Sequence, residues 1–377
     1  MLQLPLLTVM ALSGVQSGAE ATRSIAVRTI LTGHEGAVTS LAWSPDGKLL
    51  VSGSYDNTAR TWDAATGQPL RIFEGHEAAL LSVAISSDGK RLLTGSIDRT
   101  ARVFDLATGE HQLLLTEHTW ALGDARFSVD GTRIVTCEST GVDLSGAEPV
   151  PRAARLWDAA GGALIATFEG SPTSPVLAYF RPDGEELAIL PFSSSVRLVS
   201  PRDGALRREL EDGDTSIIAA AYSPDSRRIA TSTAGGRGAV WDTKTGRRRD
   251  TLRGHTGVVD SIAYSGDGKQ VATASWQDRT ARLWDARSGK EQHVLRGHGD
   301  WINDCVFAPD SRTLVTSSKD KTARLWDCES GELLAELVGH AALVGSPRYS
   351  PDGKTIATAS HDGTVRLWSV AKLLKSK

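Results

Sequence analysis

Cysteine, long apolar runs and excess positive charge are all scarce in this chain, and each scarcity removes a class of protein. The three cysteines in 377 residues, Cys137, Cys305 and Cys328, share no metal-ligand spacing and leave an odd thiol. Neither a disulfide framework nor a thiolate metal site fits them, and they read as reduced packing residues. Residues 2–12 are mostly apolar but too few to span a bilayer. They lead into Ser17-Gly18-Ala19-Glu20-Ala21 in the manner of an export signal, yet no Lys or Arg precedes them. The expectation for residues 1–23 is therefore a disordered leader in a cytoplasmic protein, with export following if residues 1–21 act as a signal. A net charge of -3 argues against general polyanion binding. The basic cluster of Arg207, Arg208, Arg227, Arg228, Arg247, Arg248 and Arg249 is interleaved with Glu209, Glu211, Asp212 and Asp214, as on a solvated face. There is no dinucleotide fingerprint and no His/Cys cluster. Gly353-Lys354-Thr355 imitates the end of a phosphate loop, but Arg348 stands where that loop needs glycine. No cofactor, no metal, no nucleic acid and no membrane is expected.

What is present is repetition. Residues 297–327 open on Gly-His and close on Trp-Asp, with Thr316, Asp320 and Trp326 at fixed offsets from His298. The same offsets give His34, Ser52, Asp56, Trp62 and His340, Thr358, Asp362, Trp368; one extra residue gives His255, Thr273, Asp278, Trp284. Unit starts fall at His34, His76, His118, Ser171, Gly213, His255, His298 and His340, in steps of 42 or 43 residues and one of 53. Such a period means one architecture copied eight times.

Within the first unit, residues 38–44, 48–54, 58–62 and 69–73 alternate as strands, divided by Pro45-Asp46-Gly47, Asp56-Asn57 and Ala65-Thr66-Gly67, whose residue types suit tight reversals. Four short strands per unit make a propeller blade. The predicted fold is all-β: an eight-bladed β-propeller of four-stranded antiparallel blades over residues 24–370, with a basic tail at 371–377. After Trp368 no fourth strand remains, whereas residues 26–31 match the fourth strands elsewhere. An N-terminal strand therefore completes the last blade and closes the ring. Unit three carries eleven extra residues between Thr140 and Arg152, a loop between its second and third strands.

The His, hydroxyl, Asp and Trp set suggests a buried hydrogen-bond chain, since the indole donates, the hydroxyl does both, imidazole bridges and carboxylate accepts. His with Ser and Asp also suggests a hydrolase triad. Recurrence inside strands, with Trp as the hydroxyl's partner, favours the scaffold. The set is eroded in units three to five: unit three breaks the Asp turn, unit four has Ser171, Ile189, Ser193 and Val199, and unit five has Gly235 for Asp. A stiff half and a soft half are expected.

Units bounded by Gly-His and Trp-Asp, with Ser-Pro-Asp-Gly turns and an Asp-x-Thr-x-Arg-x-Trp-Asp ending, resemble the WD-repeat β-propeller family over about residues 25–368. The wording of Trp43-Ser44-Pro45-Asp46-Gly47-Lys48 is similar to bacterial members. The resemblance implies partner binding on the face carrying the Gly-His loops, by a non-enzymatic scaffold for a protein or peptide within a larger assembly. The positions facing there include Tyr55, Asp260, Gln277, Asn303, Lys319 and His361, with Phe192 and Val176 in unit four. Trp276 and Trp301 lie outside the repeat core, and exposed aromatics flanked by polar groups make interface hot spots. Trp120 reads as a packing residue. The alternative is a hydrolase or lyase using Asp260, Lys319 and His361 in the central funnel.

Overall fold

The computed structural model describes residues 27–139, 150–172, 174–213 and 215–374. The leader at 1–23 and most of the unit-three insertion lie outside the described residues. Among those described there are eight four-stranded sheets. In blade one the order across the sheet is Val38–Trp43, Leu49–Ser54, Ala59–Asp63, Pro69–Phe73, every pair antiparallel. The eighth sheet holds Val344–Tyr349, Thr355–Ser360 and Val365–Ser369, and its fourth strand is Thr29–Leu31. The register is Thr29↔Leu367, Ile30↔Arg366, Leu31↔Val365, extended by a bond from Arg28 N to Leu367 O at 2.9 Å. The ring thus closes as the strand count requires.

First strands of successive blades neighbour one another, as Val259–Tyr264 does with Ile302–Phe307, so they line the axis. Second strands are buried along nearly their whole length, whereas Pro69–Phe73 is exposed up to its last residue. This gradient follows from blades packing face to face: a middle strand is covered on both sides and reads as a continuous apolar or small-residue run. The core accordingly lies between blades. Leu50 and Trp62 of blade one pack with Ala357 and Leu367 of blade eight, and Leu31 joins them. The expected basic tail begins as a short helix, Val370–Leu374, whose Leu373 is buried against blades seven and eight.

Two turn devices hold the hairpins. In the Ser-Pro-Asp-Gly turn, Ser44 Oγ donates to Asp46 Oδ1 at 2.6 Å and Gly47 takes φ +70°, the left-handed region that glycine enters without strain. The Asp of Trp-Asp has a separate task. Asp63 Oδ1 accepts from the Thr66 amide and hydroxyl, both at 2.7 Å, fixing the turn into the fourth strand.

Candidate interaction face

The Gly-His loop enters each blade on the same edge as the turn between second and third strands, and the expected hydrogen-bond chain joins them. In blade seven Trp326 Nε1 donates to Thr316 Oγ1 at 2.9 Å, Thr316 Oγ1 lies 2.8 Å from His298 Nε2, and His298 Nδ1 lies 2.7 Å from Asp320 Oδ2. Blade one repeats this through Trp62, Ser52, His34 and Asp56 at 2.8, 2.7 and 2.7 Å. Trp284, Thr273, His255 and Asp278 do so at 2.8 Å throughout, and Trp368, Thr358, His340 and Asp362 at 3.0, 2.9 and 2.9 Å. Because indole only donates and carboxylate only accepts, a neutral imidazole must carry its proton on Nδ1, and the chain runs one way from Trp to Asp. Burial lowers the pKa of His34, His298 and His340 despite the adjacent carboxylates, which keeps them neutral. Burial raises the Asp320 carboxyl, but hydrogen bonds from His298, Thr322 and the Gly299 amide outweigh it and hold the group ionised. The Thr316 hydroxyl is fully buried, so no substrate reaches it, and the triad reading falls for these sets.

These shifts have a pH signature. His34, His118, His298 and His340 have lowered pKa values in the fold, His118 to about 4 through burial, so below about pH 6.5 the unfolded chain takes up protons that the folded chain does not. Stability falls as pH drops through that window. Asp260 and Glu186, both raised by burial, act with the opposite sign but are fewer. Below about pH 4 protonation of the tetrad aspartates adds a second loss. The melting temperature is expected to decline from pH 7 to pH 5 and faster below 4; a flat profile contradicts it.

The eroded units behave differently. Blade two keeps His76 on Thr94 and Asp98 at 2.8 and 2.7 Å, with Phe104 in place of the indole. In blade four Ile189 and Val199 are packed apolar residues. Blade three keeps Trp157, Thr136 and His118 but lacks the Asp, as the broken turn implies: His118 Nδ1 lies 3.2 Å from Arg99 O, and a buried Glu138 takes over only the loop amide. Its Oε1 accepts from the Thr119 amide at 2.8 Å and from Arg155 at 2.6 Å, while Oε2 accepts from the Ala153 amide at 2.7 Å. Trp120 packs locally as expected, stacked 4.7 Å from the Arg152 guanidinium and donating to Val150 O at 3.2 Å.

The non-repeat residues form two groups on the Gly-His edge. Trp276 and Trp301 meet edge to face, centroids 4.8 Å apart at 68°. The Lys319 ammonium sits 4.1 Å from the Trp301 centroid, with Lys319 N bonded to Trp301 O at 2.9 Å. Trp301 is 42% exposed. Tyr55 of blade one lies 6.2 Å from His361 of blade eight, centroid to centroid. Asn303 ties blade seven to blade eight, donating from Nδ2 to Val344 O at 3.1 Å. Gln277 folds back so that its Oε1 accepts from the Val258 amide at 3.1 Å. Asp260 stands on the inner strand of blade six with its carboxyl pushed up to about 6 by burial. Val176 is fully buried and does not face outward as the offsets suggest.

Three further features escaped the offsets. The Gly before His34, His76, His298 and His340 takes φ of +145°, +118°, +142° and +133°, the region glycine enters without strain, with the third-strand Arg60, Arg102, Arg324 and Arg366 lying over it. The inner strands also carry more ionisable groups than the funnel trio, namely Asp124 with Arg126 at 2.6 Å and Asp304 with Arg348 at 2.9 Å, paired with each other. Third, a bulge near the start of the inner strand in blades one, six and seven turns Thr39, Asp260 and Asn303 out of the ladder.

Fold and face together define a repeat propeller whose hydrogen-bonded scaffold presents non-repeat side chains on one rim. The model of the WD40 family, WD domain, G-beta repeat, matches residues 26–63, 67–105, 246–285, 289–327 and 331–369, more than half of the chain, and the protein belongs to that family. The unmatched stretch holds the eroded units three to five. Among curated relatives, 46 residues are 54% identical to Periodic tryptophan protein 2 homolog of Neurospora crassa, covering 11% of this chain and 5% of that protein. Another 42 are 57% identical to Gem-associated protein 5 of Homo sapiens, covering 11% and 3%, and 43 are 42% identical to Ribosome assembly protein 4 of Saccharomyces cerevisiae, covering 11% and 8%. Each match is about one repeat long, so the chain covers less than a tenth of each of these relatives. The likeness to bacterial members is not borne out, since these relatives are eukaryotic. No helix among the described residues is long and apolar enough to cross a membrane.

Proposed function

We propose that the protein is a non-enzymatic scaffold that holds a protein or peptide on the Gly-His face, centred on Trp276 and Trp301 with Gln277, Asn303 and Lys319 around them and Tyr55 and His361 beside them. The observation that carries this reading is the tryptophan pair, which no repeat bond requires, with Trp301 exposed and Trp276 half-buried against it. Aromatic side chains of that kind supply large contact area at low entropic cost. A relative named for ribosome assembly is in keeping with a role in assembling other proteins. The hydrolase or lyase alternative has less support: Lys319 is engaged with Trp301 and His361 with Tyr55.

The test is affinity capture from the native source with wild type and Trp276→Ala/Trp301→Ala. Loss of two hot-spot side chains is expected to weaken the captured partner's binding by about 30-fold or more, with the melting temperature unchanged. Equal capture by the double variant overturns the reading.

A further inference from the structure

In blades one, six and seven a bulge in the inner strand turns one polar side chain out of the ladder at the edge that carries the Gly-His loop. Pairing with the second strand jumps from Val38 to Ser40, from Val259 to Ser261 and from Ile302 to Asp304. The residues passed over are Thr39, Asp260 and Asn303, and a bulge of this kind turns its extra residue away from the ladder. Two of the three bridge blades in the same way. Thr39 Oγ1 donates to Leu80 O of the next blade at 2.7 Å, and Asn303 Nδ2 donates to Val344 O of the next blade at 3.1 Å. Leu80 and Val344 are each the first residue of their inner strand; in blade seven that residue is Ile302.

Asp260 holds the equivalent place in blade six, and an ionised carboxylate has no proton to give Ile302 O. Among the described residues neither a hydrogen-bond donor nor a cation is paired with it, and burial alone accounts for its raised pKa. A half-buried carboxylate without a partner is a cost to the free protein. The repeat itself shows the inexpensive solution one blade away, in Asn303. Trp276 follows Ser275, the register partner of Val259, so acid and indole leave the same blade edge together. The ammonium of Lys319 over Trp301 shows that a ring in this pair accepts a cation on its face.

We propose that Asp260 receives the Lys or Arg side chain of an extended partner segment lying across blades six and seven, the cation entering at the Gly-His edge and its methylene stem packing on Trp276 and Trp301. This rests on the docking reading above and adds the chemistry of the bound residue. An incoming cation restores the charge balance that burial denies Asp260, and the ion pair forms where solvent is partly excluded.

The probes are N-acetyl-arginine methylamide, N-acetyl-lysine methylamide and the uncharged N-acetyl-norleucine methylamide, titrated against the full chain while the indole N–H resonances of Trp276 and Trp301 are followed. The cationic probes are expected to bind about tenfold more tightly than norleucine, equivalent to one ion pair of modest strength. Asp260→Asn is expected to abolish that preference while keeping the fold, because Asn303 shows that the position accepts the amide. The same variant should raise the melting temperature by about 2 °C above the carboxyl's pKa, since it removes an unpaired charge. Equal binding of all three probes, a preference that survives Asp260→Asn, or no gain in melting temperature overturns the proposal. The two readings fail separately. If capture of the native partner is lost in Trp276→Ala/Trp301→Ala and unchanged in Asp260→Asn, the docking face stands and the cation site falls; if the tryptophan variant captures normally, the docking face falls.

Discussion

Deletion of residues 26–31 is expected to lower the melting temperature by roughly 5–10 °C and to turn the protein into a self-associating species. The strand is only three residues long, Thr29–Leu31, but it completes the eighth sheet and carries Leu31, 2% exposed among Leu367, Val365 and Trp62. Loss of that one side chain costs about 2–5 kcal/mol as a core truncation. The larger consequence is topological. Without it the outer edge of Val365–Ser369 presents unpaired N–H and C=O groups, a template for another chain. Light scattering and thermal melts check both effects. A monodisperse monomer with an unchanged melting temperature would show that the ring does not depend on this closure.

Thr316→Val is expected to cost about 2–5 kcal/mol, because two buried partners lose their bond at once. The valine keeps the volume, but Trp326 Nε1 is left without an acceptor and His298 Nε2 without a donor. Blade five provides an internal comparison. There Thr231 accepts from Trp241 at 2.9 Å, and among the described residues no His completes the chain. Thr231→Val should therefore cost about 1–3 kcal/mol, less than Thr316→Val in parallel denaturant melts. Equal losses would mean that the imidazole adds nothing to the rim.

The blade count, the strand order, the closure and the four full tetrads were legible in the sequence, for one physical reason. A hydrogen-bond chain between a loop, a middle strand and a third strand tolerates no change in spacing, so His298, Thr316, Asp320 and Trp326 recur at offsets that survive sequence drift. Glu138 was not legible because the insertion after it hides the register; from a different position it holds the loop amide and Arg155, while His118 turns to Arg99 O. The bulges at Asp260 and Asn303 were hidden too, since one unpaired residue leaves no periodic trace. Val176 was misplaced because blade four lacks the anchors that make offset counting reliable. Gly33 was read as part of a motif; its φ of +145° is the backbone reason for glycine there, and the Arg60 guanidinium overhead, 27 positions away, is a contact that only the fold reveals. At the face, the two indoles were legible as departures from the repeat, while the meeting of Trp276 with Trp301 and of Tyr55 with His361 needed the ring.

The repeat tetrads tie the blades' loops and strands together, and the proposed binding rests on residues outside the repeat. This division is tested most directly by measuring melting temperature and partner affinity together on Thr316→Val and Trp276→Ala/Trp301→Ala. The account predicts a crossed result: Thr316→Val melts several degrees lower and binds the captured partner as wild type does below its transition, whereas the tryptophan variant melts normally and loses binding. A tryptophan variant that binds normally, or a folded Thr316→Val protein that does not bind, would contradict it.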